Sequence, residues 1–446
     1  MSAVLDPRTA WYAQPYATFC GGNDVTLLEG GDALFPAMLS ALAHATHEVW
    51  LATYIFHDDA AAVAIMDALV AAAQRGVRVR VVVDGFGSKA TLPALMRRFS
   101  GSGVALAVFR PVDRWWTWLQ PGQLRRLHQK LCVVDSDIGF VGGINLIGDR
   151  NDLHHGIDDA PRLDYAVALR GPVVAPVEQT ARAMWTRAEF GHDWRDEVLS
   201  LVRSTEPVAR ARALLQQVRI VKRDRDRDRD RDRGGGGGGD PGDWRDDDDG
   251  DADDRPVLAA FVVRDNLRQR RAIERSYIEA FGTARERVDL MSPYFYPGRL
   301  FRRTLKDAAR RGVQVRLLLQ GKLDYRFAGL AASVLYDELL TEGVRIFEYT
   351  PAFLHAKVAL ADDDWATVGS SNIDPLSLLL NLEANVIVRD EGFSRELSAR
   401  FEAALAASRE VTAPPVAAGW WAVLRRGFVA WAAHWYLRMA GITGKY

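Results

Sequence analysis

His128 and Lys130 stand two residues apart, with Asp135 five further on, in Leu127-His-Gln-Lys-Leu-Cys-Val-Val-Asp135. The same spacing returns as His355, Lys357 and Asp362 in Leu354-His-Ala-Lys-Val-Ala-Leu-Ala-Asp362. In a strand, residues i and i+2 share a face, so each His and Lys point the same way while their apolar neighbours face a core. A second apolar run follows each Asp and ends in a glycine-led turn, Gly142-Gly143-Ile144-Asn145 or Gly369-Ser370-Ser371-Asn372. That order reads as a hairpin placing Asn145 or Asn372 beside its His and Lys. Imidazole, ammonium and amide together make a pocket for phosphate. Lys and Asn hold the non-bridging oxygens, and His attacks phosphorus or protonates a leaving oxygen. Two copies supply both a nucleophile and an acid.

Composition argues against coincidence. With nine His, 7 Lys and 41 Asp in 446 residues, one His-x-Lys-x4-Asp match is expected roughly 0.01 times. Two occur, each with the same turn behind it. The chain uses 50 Arg against 7 Lys, yet both motif positions hold Lys. A compact, rotatable ammonium is not interchangeable with a planar guanidinium.

The duplicated motif with its Gly-Ser-x-Asn turn resembles the phospholipase D superfamily. Within it the chain is similar to the short bacterial cardiolipin synthases, which lack an amino-terminal pair of membrane spans. The matching runs are Leu27-Leu-Glu-Gly-Gly-Asp32, Gly76-Val-Arg-Val-Arg-Val-Val-Val-Asp84, Phe353-Leu-His-Ala-Lys357 and Val368-Gly-Ser-Ser-Asn-Ile-Asp-Pro375, within residues 20–220 and 257–405. The resemblance implies two halves meeting about a pseudo-two-fold axis, with one active site on it. It also implies an acid downstream of each motif that hydrogen-bonds a catalytic imidazole. Glu383, in Asn381-Leu-Glu-Ala-Asn385, fits that pattern well, and Asp164, in Leu163-Asp-Tyr-Ala, fits it less closely. Asp135 and Asp362 complete the motif and are expected to pin the strand-turn geometry. Gly143 stands where the family has Ser, so a hydroxyl contact to phosphate is expected from Ser370 alone. The first-copy His is often the nucleophile in the superfamily; two similar copies leave His128 and His355 both open.

The elements that must position these residues repeat. A helix is expected from Gly30-Gly31-Asp32, with Asp32 as cap, after an irregular lead-in over residues 1–22. Val49 to Phe56 reads as a buried strand, Ala60 to Arg75 as a helix stopped by Gly76, and Val77 to Val83 as a strand. After residue 257 the order recurs: helix Arg268 to Ala284, strand Val288 to Ser292, helix Leu300 to Arg311 with Gly312 as stop, strand Val313 to Leu319. Strands alternating with helices imply an α/β fold. The expectation is two duplicated α/β/α sandwich domains with mixed, largely parallel sheets. Residues 1–221 form the first half and 257–410 the second, with 222–256 a solvated linker and 411–446 a basic, Trp-rich amphipathic segment.

Charge and length bound the partners. The net charge of −1 is uneven: Lys222 to Arg255 carries −5 and the body +4, mildly basic. That suits anionic lipid head groups and is too weak for nucleic acid. No apolar run approaches a membrane span and no signal peptide opens the chain. A peripheral protein of the inner membrane is expected. Cys20 and Cys132 give no disulfide framework. Neither a cofactor nor a metal is called for, since Lys supplies the positive charge; His154-His155 and Asp246 to Asp249 do not converge on an ion. Two stretches read either as membrane contacts or as segments packed on the body. Trp115, Trp116 and Trp118 lie in an insertion before the first motif. Trp420, Trp421, Leu424, Phe428, Trp431 and Trp435 form one helix face with Arg425, Arg426 and Arg438 nearby. The reading is phosphatidyl transfer through a phosphohistidine from phosphatidylglycerol to the glycerol head of a second lipid. The alternative is hydrolysis of a phospholipid or, less well supported, of nucleic acid.

Overall fold

The structure, a computed structural model, describes residues 16–111, 125–152, 156–189, 257–265, 269–321, 335–374, 377 and 381–412. The Trp115–Trp118 insertion, His154-His155, the linker with Asp246 to Asp249, and the aromatic residues of the carboxy-terminal segment lie outside them.

In the first half the order is β1 (Cys20–Glu29), α1 (Gly30–Ala43), β2 (Glu48–Thr53), α2 (Ala60–Gln74), β3 (Arg78–Asp84), α3 (Leu92–Phe99), β4 (Ala105–Phe109), β5 (Leu131–Val134) and β6 (Ile138–Gly142). A small pair, β7 (Asn151–Asp152) and β8 (Gly156–Ile157), precedes β9 (Tyr165–Arg170) and α4 (Val174–Glu189). The second half follows suit: β10 (Val257–Arg264), α5 (Ala272–Thr283), β11 (Arg287–Ser292), α6 (Arg299–Arg310), β12 (Gln314–Gln320), β13 (Arg345–Tyr349), β14 (Val358–Ala361), β15 (Trp365–Gly369), β16 (Glu383–Arg389), α7 (Glu391–Ala406) and β17 (Ser408–Glu410). Gly76 and Gly312 end α2 and α6 at φ +93° and +90°, a conformation that costs glycine little.

The strands form one 15-stranded sheet in the order β17-β13-β12-β11-β14-β15-β16-β10-β1-β9-β6-β5-β2-β3-β4. Read outward from the β10–β1 seam, the two halves have the same order. Duplication and α/β class are therefore as expected, but pairing is less parallel than the helical crossovers suggested. Parallel ladders are confined to β2-β3-β4 and β11-β12-β13. The motif strands are hairpins, β5–β6 and β14–β15, and hairpins pair antiparallel.

Helices cover both faces. On one face, α4 (Met184, Trp185) and α7 (Leu397, Phe401) pack with Val167, Leu131, Val386 and Val358 into a core common to both halves. On the other, α1, α2 and α3 bury Leu34, Met38, Ile65, Leu69 and Leu95 on the first half, and α5 and α6 bury Tyr277, Phe281, Phe301 and Leu305 on the second.

Two expectations need correction. The irregular lead-in ends sooner, because residues from Cys20 onward form β1, which joins the halves. Its glycines and the Cys20/Asn23 register shift disguise it. The Asn23 amide fills the gap by donating to Cys20 O and Val257 O at 2.7 and 3.2 Å and accepting from Val173 N at 2.9 Å. Asp32 does not cap α1, which starts two residues earlier. Gly30 N donates to Asp164 O at 2.9 Å and Gly31 N to the Asp149 carboxylate at 2.5 Å, so groups from a distant loop serve its first amides.

Candidate active site

Each motif strand enters the site beside the acid-bearing strand of the other half. Leu127 pairs in parallel with Leu382, and Leu163 with Leu354. His128 N donates to Leu382 O at 3.0 Å and Leu382 N to Arg126 O at 2.9 Å; His355 N donates to Leu163 O and Leu163 N to Phe353 O, both at 2.9 Å. The side chains cross in the same way. His128 Nδ1 lies 2.9 Å from Glu383 Oε2, and His355 Nδ1 2.5 Å from Asp164 Oδ2. An ionised carboxylate only accepts, so a ring bonded to it carries its proton on Nδ1 and presents Nε2 for chemistry.

The lysines complete the pocket. Lys130 Nζ donates to His128 O at 2.7 Å and lies 5.6 Å from the Tyr54 ring centroid. Lys357 Nζ donates to His355 O and sits 2.9 Å from His355 Nδ1. Burial pushes Lys130 down to about 7 and Lys357 to about 8, against the carboxylates that favour their charge. His355 is held well below its ordinary value by burial and by Lys357, Arg162, Lys130 and His128. Groups of both motifs thus act on one imidazole, and the two rings belong to one site. His128 is lowered too, by burial, with Glu383 opposing.

The carboxylates differ. Burial alone would raise Glu383, but His128, Lys130 and the Ser370 hydroxyl more than offset it, leaving it below the ordinary range. For Asp164 burial prevails and the carboxyl is raised, despite Lys357 and Tyr165 N. His355 is also the more open ring, its side chain 23% exposed against 11% for His128.

The remaining expected residues fall into two groups. Asn145 and Asn372 are buried in the turns after the hairpins. Asn145 Oδ1 accepts from Ile55 N at 3.3 Å; Asn372 Nδ2 meets Ser377 Oγ at 3.4 Å, and its Oδ1 has no partner among the described residues. Asp135 and Asp362 sit at the far ends of the motif strands, in left-handed turns at φ +53° and +50°. Asp135 accepts from Thr46, His47 and Glu48 amides, and Asp362 from those of Arg285, Glu286 and Arg287. Both pin the start of a neighbouring strand and do not reach the imidazoles. Ser370 departs from its expected contact with phosphate. Its hydroxyl donates to Glu383 Oε2 at 2.6 Å and accepts from Ala384 N at 3.0 Å, which spends its one proton on the carboxylate.

Three supporting residues were not singled out from sequence. The Tyr54 ring stands edge-on to His128, centroids 5.1 Å apart. Asp84 Oδ2 accepts from Leu127 N at 2.9 Å, and Gln320 Oε1 from Leu354 N at 3.3 Å, each holding the residue before a motif His. Their signal is positional, since Asp84 and Gln320 are the last residues of the equivalent strands β3 and β12.

Comparison with known proteins accords with this geometry. The family profile described as "Cardiolipin synthase, PLD-like domain" matches residues 38–157 and 277–405. Cardiolipin synthase B of Salmonella typhimurium is 36% identical over 393 residues, spanning 85% of this chain and 80% of that protein. Cardiolipin synthase A of Pseudomonas aeruginosa is 32% identical over 396 residues, 87% and 68% of the two chains. A crystal structure of phosphatidylserine synthase from Haemophilus influenzae superposes with a TM-score of 0.62 over 96% of this chain and 98% of that one, at 12% identity, a likeness of fold. The chain belongs to the cardiolipin synthase family of phospholipase D-like proteins.

Proposed function

We propose that the protein makes cardiolipin by phosphatidyl transfer between two phosphatidylglycerol molecules at a membrane surface. The observation that carries this is the crossed pairing, His128 on Glu383 and His355 on Asp164. Neither half alone has an oriented imidazole, and together they present two with two lysines.

In the first step, Nε2 of one histidine attacks the donor phosphorus. The bond from phosphorus to the head-group oxygen breaks, and glycerol leaves with a proton from the other histidine. In the second, that histidine takes a proton from a head-group hydroxyl of the acceptor lipid. The resulting oxygen attacks phosphorus, the N–P bond breaks, and cardiolipin is released. Lys130, Lys357, Asn145 and Asn372 hold the non-bridging oxygens, whose charge grows on the way to each transition state. The carboxylates orient the rings and stabilise each imidazolium as it forms.

No described helix is long and apolar enough to cross a membrane. Contact with the inner membrane falls to the Trp115–Trp118 insertion and the aromatic carboxy-terminal segment, both supported by composition. Phosphatidylglycerol vesicles test the whole reading. Cardiolipin and glycerol in equal amounts are expected; phosphatidic acid without cardiolipin would make the protein a hydrolase.

A further inference from the structure

The two halves part company one residue beyond β2 and β11. On either side of that place their contacts match. Thr53 Oγ1 donates to Ile55 O at 3.1 Å, and Ser292 Oγ to Tyr294 O at 2.9 Å. Phe56 then bridges in parallel to Leu146, and Phe295 to Ile373, each the residue after a motif asparagine. Between these matched pairs the first half has Tyr54 and the second has Pro293.

Tyr54 is held from behind. A Cβ on Gly87 would lie 2.8 Å from both Cδ2 and Cε2 of the ring and 2.4 Å from Tyr54 O, so only glycine lets the loop after β3 close on it. That loop is itself fixed. The buried Asp84 carboxylate accepts from Phe86 N at 2.8 Å and Gly87 N at 3.1 Å. Ser88 Oγ donates to Tyr54 O and accepts from Phe56 N, both at 3.0 Å. In front, the ring meets the first motif twice. Its centroid is 5.1 Å from that of His128 at an interplanar angle of 64°, and Lys130 Nζ lies 5.6 Å from it. The next amide, Ile55 N, donates to Asn145 Oδ1 at 3.3 Å. One aromatic ring therefore touches the imidazole and the ammonium of a single motif. An edge contact restrains rotation of the imidazole, and the negative ring face favours a cation over an amine.

We infer that Tyr54 is a positioning residue for the first motif, its ring holding the His128 imidazole against Glu383 and favouring the Lys130 ammonium. The ring does this, not the hydroxyl, which makes no hydrogen bond among the described residues. Pro293 offers no aromatic face, so the device serves one side of a pseudo-symmetric site. The inference rests on the transferase reading above only for its activity readout.

The test sets Tyr54→Phe, which keeps the ring, against Tyr54→Met, which fills the space without one. Both are made in the full chain and assayed on phosphatidylglycerol vesicles. A thermal melt checks the fold, and Tyr54→Leu takes the place of Tyr54→Met should that variant not fold. Tyr54→Met should lower kcat about tenfold or more and change KM far less, because a displaced imidazole slows the step without loosening the substrate. Tyr54→Phe should recover most of kcat. Sulfate gives a second readout that needs no reaction. Burial holds Lys130 down to about 7, with Glu383, Asp164 and Asp84 favouring its charge and Lys357 opposing it. A ring that favours the ammonium therefore matters only where the amine competes. Sulfate affinity of Tyr54→Met should match the unmodified protein near about pH 5.5 and be about two- to fivefold weaker near about pH 8. Unchanged kcat in Tyr54→Met, an equal loss in Tyr54→Phe, or a sulfate deficit that does not grow with pH overturns the inference. Absence of cardiolipin from the unmodified protein would instead overturn the transferase reading, and the sulfate measurement would then decide the role of Tyr54.

Discussion

The two halves share a strand order and a motif, yet support them with different chemistry. Trp50 pairs with Arg80 across β2–β3, where Asp289 pairs with Arg316 across β11–β12. In the first half the guanidinium stacks on Trp50, 4.6 Å from the ring centroid, with Trp185 beyond it. In the second it forms a bidentate pair with Asp289 at 2.7 and 2.8 Å and reaches Glu402 at 2.7 Å. A half-buried cation over an aromatic face and a buried bidentate ion pair are thus two solutions to one position. The scaffold accepts either. At the proposed phosphate pocket the same residue types recur, as one charge held from both sides would require.

The acids show where that equivalence stops. Tyr165 N donates straight to Asp164 Oδ1 at 2.9 Å; the corresponding Ala384 N donates to Ser370 Oγ, which donates to Glu383. A Cβ on Gly143 would lie 2.3 Å from Asp164 Oδ1. The shorter acid keeps its carboxylate where a serine would stand, and the longer one carries it past, leaving room for the hydroxyl. Gly with Asp and Ser with Glu are therefore matched pairs.

The largest expected effect comes from uncrossing the halves. Glu383→Gln and Asp164→Asn keep shape and remove the charge that orients each ring. Each should lower kcat by about 10²–10⁴ with a smaller change in KM. Glu383→Gln should cost more, because Glu383 is the carboxylate held ionised. Near-normal kcat in either variant would mean that the crossed pairs are structural, and the crossed site would fall as the basis of catalysis.

A middle-sized effect tests the matching. Gly143→Ser alone forces its side chain into Asp164 and should cost about 1–3 kcal/mol of stability, with activity reduced. Adding Asp164→Glu should restore much of both, since the pair then copies Ser370 and Glu383. A double variant no better than the sum of its parts would refute the pairing.

Much of this was legible before the fold. The i, i+2 spacing placed His and Lys on one face, and Gly76 and Gly312 ended their helices as the period required. Asp164 and Glu383 could be nominated, but not their crossed partners. A bond between His128 and Glu383 spans 255 residues of sequence, and local pattern carries no information at that range. β10 escaped because a strand buried on both faces shows no clean alternation, and β1 because Gly21, Gly22 and Asn23 read as a turn. Ser370 was misassigned because a hydroxyl beside a phosphate pocket looks like a ligand group until its acceptor is seen.

The smallest effect concerns the lysines, the part of the site most alike in the two halves. Their folded values, about 7 for Lys130 and about 8 for Lys357, lie below the 10.5 of a free lysine. A group depressed on folding contributes stability that is present above its unfolded value and lost as pH falls through its folded one. Without an anion the protein should therefore lose stability from these two groups between about pH 10 and 7. An anion in the pocket favours the ammonium forms and must draw in protons wherever the lysines are neutral. Sulfate, whose charge is constant over this range, is the cleanest probe. Its affinity should be greatest near or below pH 7 and fall above 8 by up to about a hundredfold per unit, about tenfold for each lysine that must take up a proton. Lys130→Gln should weaken binding at pH 7 and leave a shallower fall set by Lys357. Calorimetry in buffers of different ionisation enthalpy would count the protons taken up. Equal sulfate affinity from pH 6.5 to 9.5 would show that the two ammonium groups do not hold the anion, and the resemblance between the halves would end at their strand order.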